Sequence, residues 1–184
     1  THPAFRFSNG STRILSLWDQ TIMSDNVPEQ FPYGTLYTSD DINRALMSEE
    51  PSEIVPSRDG EGHGTFMAGI IAGGEDVENS FIGAAPEASI IAIKLKPAKD
   101  YLRDYYVLKE GSVAFQETDI FMAVQFSLSQ AVKYQMPLVI CLGIGNRLDS
   151  HEGTSSLSLY LNSVNNLTGV CITVAAGNEL GRAH

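Results

Sequence analysis

Residues 59–72 read Asp-Gly-Glu-Gly-His-Gly-Thr-Phe-Met-Ala-Gly-Ile-Ile-Ala, and His63 is the side chain in this stretch that could move a proton. Glycines on both sides of it let neighbouring backbone come close, and Phe66, Met67, Ile70 and Ile71 follow at helical spacing. The pattern predicts His63 in the first turn of a buried helix. The positive end of a helix dipole favours a neutral imidazole, which can accept a proton, so His63 is a candidate general base. The competing reading is a histidine that only caps or lines a helix start. A working base needs a carboxylate to orient it and a donor for a developing oxyanion. Asp19 closes the apolar run 13–18, and Asn178 follows Gly177 after the apolar run 170–176. Taken singly, Asp19 also reads as a helix or turn cap and Asn178 as a turn residue.

Positioning these groups is the task of the surrounding elements. Short apolar runs at 13–18, 88–95, 138–142 and 170–176 are predicted as buried strands, all mutually parallel. Between them lie helical patterns: one from His63 to the stop at Gly73-Gly74, one from a Thr118 cap to about Tyr134, and one from a Ser155 or Thr154 cap to about Leu167. Residues 20–58 are broken by Pro28, Pro32, Pro51 and Pro56 and read mostly as loop, with one helix over 40–47 capped by Ser39 or Asp40. Residues 96–117 read as a long surface excursion able to shape a binding site. Strands alternating with helices argue an α/β fold with right-handed crossovers. In such sheets ligands gather beyond the carboxyl ends of the strands, where Asp19, the Gly143-Ile144-Gly145 segment and Asn178 all fall.

The chain has 184 residues, enough for one domain with a substantial core and few for two. Its formal charge of -10 argues against nucleic acid as a partner, and no apolar run is long enough for a membrane span. Cys141 and Cys171 lie in apolar strand-like runs without metal spacing, so they are expected as free thiols in neighbouring core strands. Residues 1–11 carry no signal-peptide pattern.

With the elements in place, four motifs stand in a recognisable order. Ile14-Leu15-Ser16-Leu17-Trp18-Asp19 resembles the strand that ends in the catalytic aspartate of subtilisin-like serine proteases, and His63-Gly64-Thr65-Phe66-Met67-Ala68-Gly69 resembles their histidine motif. Gly83-Ala84-Ala85-Pro86 resembles the segment before a core strand, and Val174-Ala175-Ala176-Gly177-Asn178 resembles the segment carrying the oxyanion asparagine. The likeness covers nearly the whole chain and matches the first two-thirds of such a catalytic domain. Trp18-Asp19-Gln20-Thr21, Gly62-His63-Gly64-Thr65-Phe66, residues 150–155 and residues 181–184 are similar to the bacterial branch that includes clostridial spore-germination proteases. Two residues depart from the wider pattern: Thr21 replaces a glycine and Phe66 a histidine, the first in the turn that presents Asp19.

The resemblance implies a three-layer subtilisin-like fold, with a mainly parallel sheet and helices on both faces, residues 1–184 forming one partial catalytic domain incomplete at its C-terminus. It implies a serine endopeptidase in which Asp19 holds the His63 ring within about 2.6 to 3.2 Å, His63 takes the proton of a serine, and Asn178 donates to the oxyanion. Leu142, Gly143, Ile144 and Gly145 would pair with an extended polypeptide substrate, and Ala175, Ala176 and Gly177 would wall the first specificity pocket. No cofactor or metal ligand set is expected from the residues, and calcium enters by family analogy alone. The narrower likeness favours the bacterial cytoplasm or the spore over secretion. The nucleophile is the missing part. Gly153-Thr154-Ser155 mimics the segment that presents it but precedes Asn178, and Ser155 reads better as a helix cap. The 184 residues alone are therefore expected to hydrolyse no peptide, and the open edge of the last strand to favour self-association. The rival reading is a pseudoprotease or binding scaffold that uses the same groove.

Overall fold

The computed structural model describes residues 2–145 and 152–175. The chain divides into two compact units, Thr1–Asp119 and Ile120–His184, each described in turn.

The first unit is built on strand β1 (Ile14–Asp19), which lies between two partners. Strand β2 (Thr35–Thr38) runs antiparallel to it, with Asp19 opposite Thr35. Helices α1 (Ser39–Met47), α2 (Pro51–Ile54) and α3 (His63–Ala72) follow, and then strand β3 (Ile90–Lys94) runs parallel to β1 on its other side, with Asp19 opposite Lys94. Flanked on both sides, β1 buries Ile14, Ser16, Trp18 and Asp19. Ile14 joins Phe5, Tyr37 and Ile42 in a core cluster against which Leu17, Leu46, Val55, Ala68, Ile90 and Ala92 pack. Trp18 is fully buried, its ring 5.0 Å from Phe31 and 5.4 Å from Tyr33, and its Nε1 donates to the Tyr33 carbonyl at 3.1 Å. The excursion at 96–117 carries helix α4 (Asp100–Tyr105).

In the second unit, strands β4 (Leu138–Leu142) and β5 (Val170–Val174) are parallel, paired from Leu138 opposite Val170 to Leu142 opposite Val174. Helix α5 (Glu117–Tyr134), whose first residues close the first unit, leads into β4, and α6 (Ser156–Asn165) joins the strands. Ala123, Val124 and Phe126 of α5 are buried, and Phe121 meets Tyr160 of α6 with ring centroids 4.8 Å apart.

Several expectations need correction. Strand β2 replaces part of the predicted loop: Thr35-Leu36-Tyr37-Thr38 is only four residues, too short for its alternation to stand out. Helix α1 is capped by Thr38, not Ser39 or Asp40. The Thr38 hydroxyl accepts from the Asp41 amide while the Asp41 carboxylate accepts from the Thr38 amide, a reciprocal pair that a lone cap lacks. Thr118 lies inside α5 rather than capping it. Helix α3 is not buried: Phe66 is 65% and Ile70 43% exposed, because α3 packs on the core cluster through Ala68, buries Ala72 and leaves its other sides open. The four strands are parallel where they pair, as expected, but β3 is half-buried and β4 buries only alternate residues. Apolar composition does not say whether both faces of a strand are covered. For the same reason Cys141 and Cys171 are free thiols on neighbouring strands but exposed rather than in the core.

Candidate active site

Asp19 sits at the last position of β1 with its carboxylate fully buried. Thr21 donates to Oδ1 through its amide at 2.8 Å and its hydroxyl at 2.5 Å. The Ser57 hydroxyl donates to Oδ2 at 2.5 Å, and Lys94 Nζ lies 3.5 Å from the same oxygen. Burial works to raise the Asp19 pKa, but the hydrogen bonds from Ser57 and Thr21, with the charge of Lys94, outweigh it and hold the group below the ordinary carboxylate range. The site therefore carries a fixed, ionised carboxylate at a strand end. Thr21, the departure from the family pattern, becomes one of its two hydroxyl donors.

His63 opens α3, as the glycine-flanked pattern predicts, and is exposed. Gly62 immediately before it has φ 78°, a left-handed conformation that favours glycine. Asp59 organises this helix start. Its Oδ1 accepts from the Gly62 amide at 2.9 Å, and its Oδ2 from the Thr65 amide at 2.8 Å and hydroxyl at 2.7 Å. Burial tends to raise the Asp59 pKa, and the Thr65 and Gly62 donors overcome that and lower it. At the far end of α3, a Cβ on Gly83 would lie 2.5 Å from the Gly73 nitrogen and 2.8 Å from the Gly69 carbonyl oxygen. The glycine of the Gly83-Ala84-Ala85-Pro86 segment thus lets that segment close against the helix terminus. Among the described contacts, the Asp19 carboxylate takes hydrogen bonds from Thr21 and Ser57 and none from His63.

In the second unit, Leu142, Gly143 and Ile144 are half-buried and Gly145 is exposed at the end of β4. The exposed Ala175 continues the β4–β5 ladder, its amide donating to the Leu142 carbonyl at 3.1 Å. Leu142 and Ala175 are thus brought together, while Ala176, Gly177 and Asn178 lie outside the described residues. Ser155 caps α6, its hydroxyl accepting from the Ser158 amide at 3.1 Å, which accounts for the decoy serine. Among the described residues no cluster of His, Cys, Asp or Glu is arranged to hold a metal ion.

Sequence reasoning passed over Ser57, Lys94 and the capping role of Asp59. Lys94 had a signal: a lone cation in the apolar run 90–94 calls for a nearby anion. Asp59, just before a glycine-rich helix start, has the residue type of a cap. Ser57 had none, being one polar residue in a proline-broken stretch.

The model of the subtilase family matches residues 11–183. Among solved structures, the CspB protease of Clostridium perfringens is similar to this chain with a TM-score of 0.79 and 31% sequence identity. The match covers 97% of this chain and 34% of that one, so the chain spans about a third of the length of that protein. A comparison with curated proteins returned no match.

Proposed function

The chain belongs to the subtilase family, and on that premise we propose that it supplies the aspartate, the histidine and the oxyanion asparagine of a serine endopeptidase acting on polypeptides. The observation that carries the reading is the family match over 11–183, which includes Asp19, His63 and Asn178. In this reading Asp19 orients and stabilises the His63 imidazolium, His63 takes the proton of a serine hydroxyl as it attacks the peptide carbonyl and returns it to the leaving amine, and Asn178 donates to the oxyanion. The buried, ionised state of Asp19 supports its part, since a carboxylate below its ordinary pKa stays charged beside an imidazolium. Leu142 to Gly145 present backbone to an extended substrate, and Ala175 to Gly177 line the first specificity pocket. The nucleophilic serine is the part of this reading assigned to no residue of the chain, since the Ser155 hydroxyl is engaged as the cap of α6.

The scaffold reading draws on one observation, the engagement of both Asp19 oxygens by Thr21 and Ser57 instead of His63. A fluorophosphonate probe separates the two. It is expected to leave the 184-residue chain unlabelled and to label a serine in a longer form that continues past His184. Labelling of Ser155 in the short chain would contradict the assignment of the nucleophile. No labelling in either form would favour the scaffold.

A further inference from the structure

Ser57 lies in a segment with no helix or strand of its own, between α2 and α3. Three anchors hold that segment. Val55 packs on the core cluster, Ser57 donates to Asp19 Oδ2 at 2.5 Å, and Asp59 binds the amides of Gly62 and Thr65 at the start of α3. The middle anchor reaches the carboxylate of β1, and two residues later the same chain fixes the helix start that carries His63. A carboxylate oxygen has two lone pairs, so the Ser57 hydroxyl leaves one on Oδ2 for an imidazole N–H. Lys94, with its side chain 38% exposed, supplies the countercharge at 3.5 Å without closing the site.

We propose that Ser57 is a positioning residue: its hydroxyl ties the segment ahead of α3 to Asp19 and so fixes the His63-bearing helix start relative to the carboxylate. The catalytic consequence rests on the endopeptidase reading, whereas the tether does not. Other groups facing Asp19 come from β2 and β3, namely the Tyr37 phenol, whose pKa burial and then the Asp19 charge raise, and the Lys94 ammonium.

Ser57→Ala and Ser57→Thr test the tether in the 184-residue chain and in the longer form. In the short chain, Ser57→Ala is expected to speed hydrogen exchange of the Phe66 amide, which bonds the Gly62 carbonyl at 2.9 Å, while the Gln20 amide on the Lys94 carbonyl keeps its rate. The Asp19 carboxyl should also titrate at higher pH, because a donor to its charged form is gone. Ser57→Thr restores the hydroxyl and both readings. If Ser57→Ala fails to fold, Ser57→Cys, a weaker donor of similar shape, is expected to shift both readings in the same direction. In the longer form Ser57→Ala should lower kcat by about ten- to a hundredfold with KM unchanged, as misplaced catalytic groups do, with rescue by threonine. Unchanged Phe66 exchange and Asp19 titration in Ser57→Ala or Ser57→Cys would overturn the proposal. A longer form that never reacts with the fluorophosphonate would overturn the endopeptidase reading and leave the exchange result to decide the tether.

Discussion

At the carboxylate of Asp19, burial and hydrogen bonding pull in opposite directions, and hydrogen bonding wins. The linkage follows from that sign. A group whose pKa is lower folded than unfolded stabilises the fold above the unfolded value, near 3.9 for Asp, and loses that contribution as pH falls through the folded value. Asp19 and Asp59 both fall in this class. The urea midpoint of the chain should therefore drop below about pH 4, and Asp19→Asn should have a lower midpoint at pH 7 and a shallower acid limb. Parallel curves for the two proteins would show that Asp19 is not held by its donors. Asp19 and His63 were legible in the sequence because each ends or begins an element with its own local pattern. Ser57 was not, because its partner lies 38 residues away and only the fold brings them together.

Among the elements, α3 shows how far local pattern reaches. Its start was readable from Gly62 and Gly64 around His63, and its stop from Gly73, which caps it. Its burial was not readable, since a helix apolar on every side is covered only where something packs on it. The Gly83 segment is one such cover: the amides of Gly83, Ala84 and Ala85 donate to the carbonyls of Gly73, Ile70 and Ile71 at 3.0, 3.0 and 2.7 Å. A Cβ at Gly83 would press on backbone that cannot swing away, so Gly83→Ala should cost about 1–3 kcal/mol in chemical unfolding. Gly69→Ala is the control. A Cβ there meets nothing within 4 Å, and alanine favours the helix interior, so that variant should gain about 0.5–1 kcal/mol. Equal stability of Gly83→Ala and the parent chain would contradict the close approach. The α6 cap at Ser155 was legible because it is local, whereas the short β2 emerges only from its pairing with β1.

For the molecule as a whole, the exposed apolar residues and the net charge of -10 act against each other. Val139 and Val174 are 64% and 57% exposed, and among the described residues β5 pairs with β4 alone. An unpaired strand edge invites another chain, while like charge resists it and is screened by salt. Sedimentation of the 184-residue chain should show association that grows with ionic strength and is reduced in Val174→Lys. A monomer at all concentrations and salt levels would rule that out. The paired strands were readable in advance because each is a short apolar run bounded by turn residues; the exposed faces were not, because covering a face is a property of the assembled molecule. The central claim is that Asp19 and His63 serve one reaction, and a double-mutant cycle on peptide hydrolysis by the longer form tests it most directly. By analogy with subtilisin, His63→Ala should lower kcat on the order of 10⁶-fold and Asp19→Ala about 10⁴-fold, with the double variant little worse than His63→Ala. Losses that multiply, or single variants that keep full activity, would contradict it.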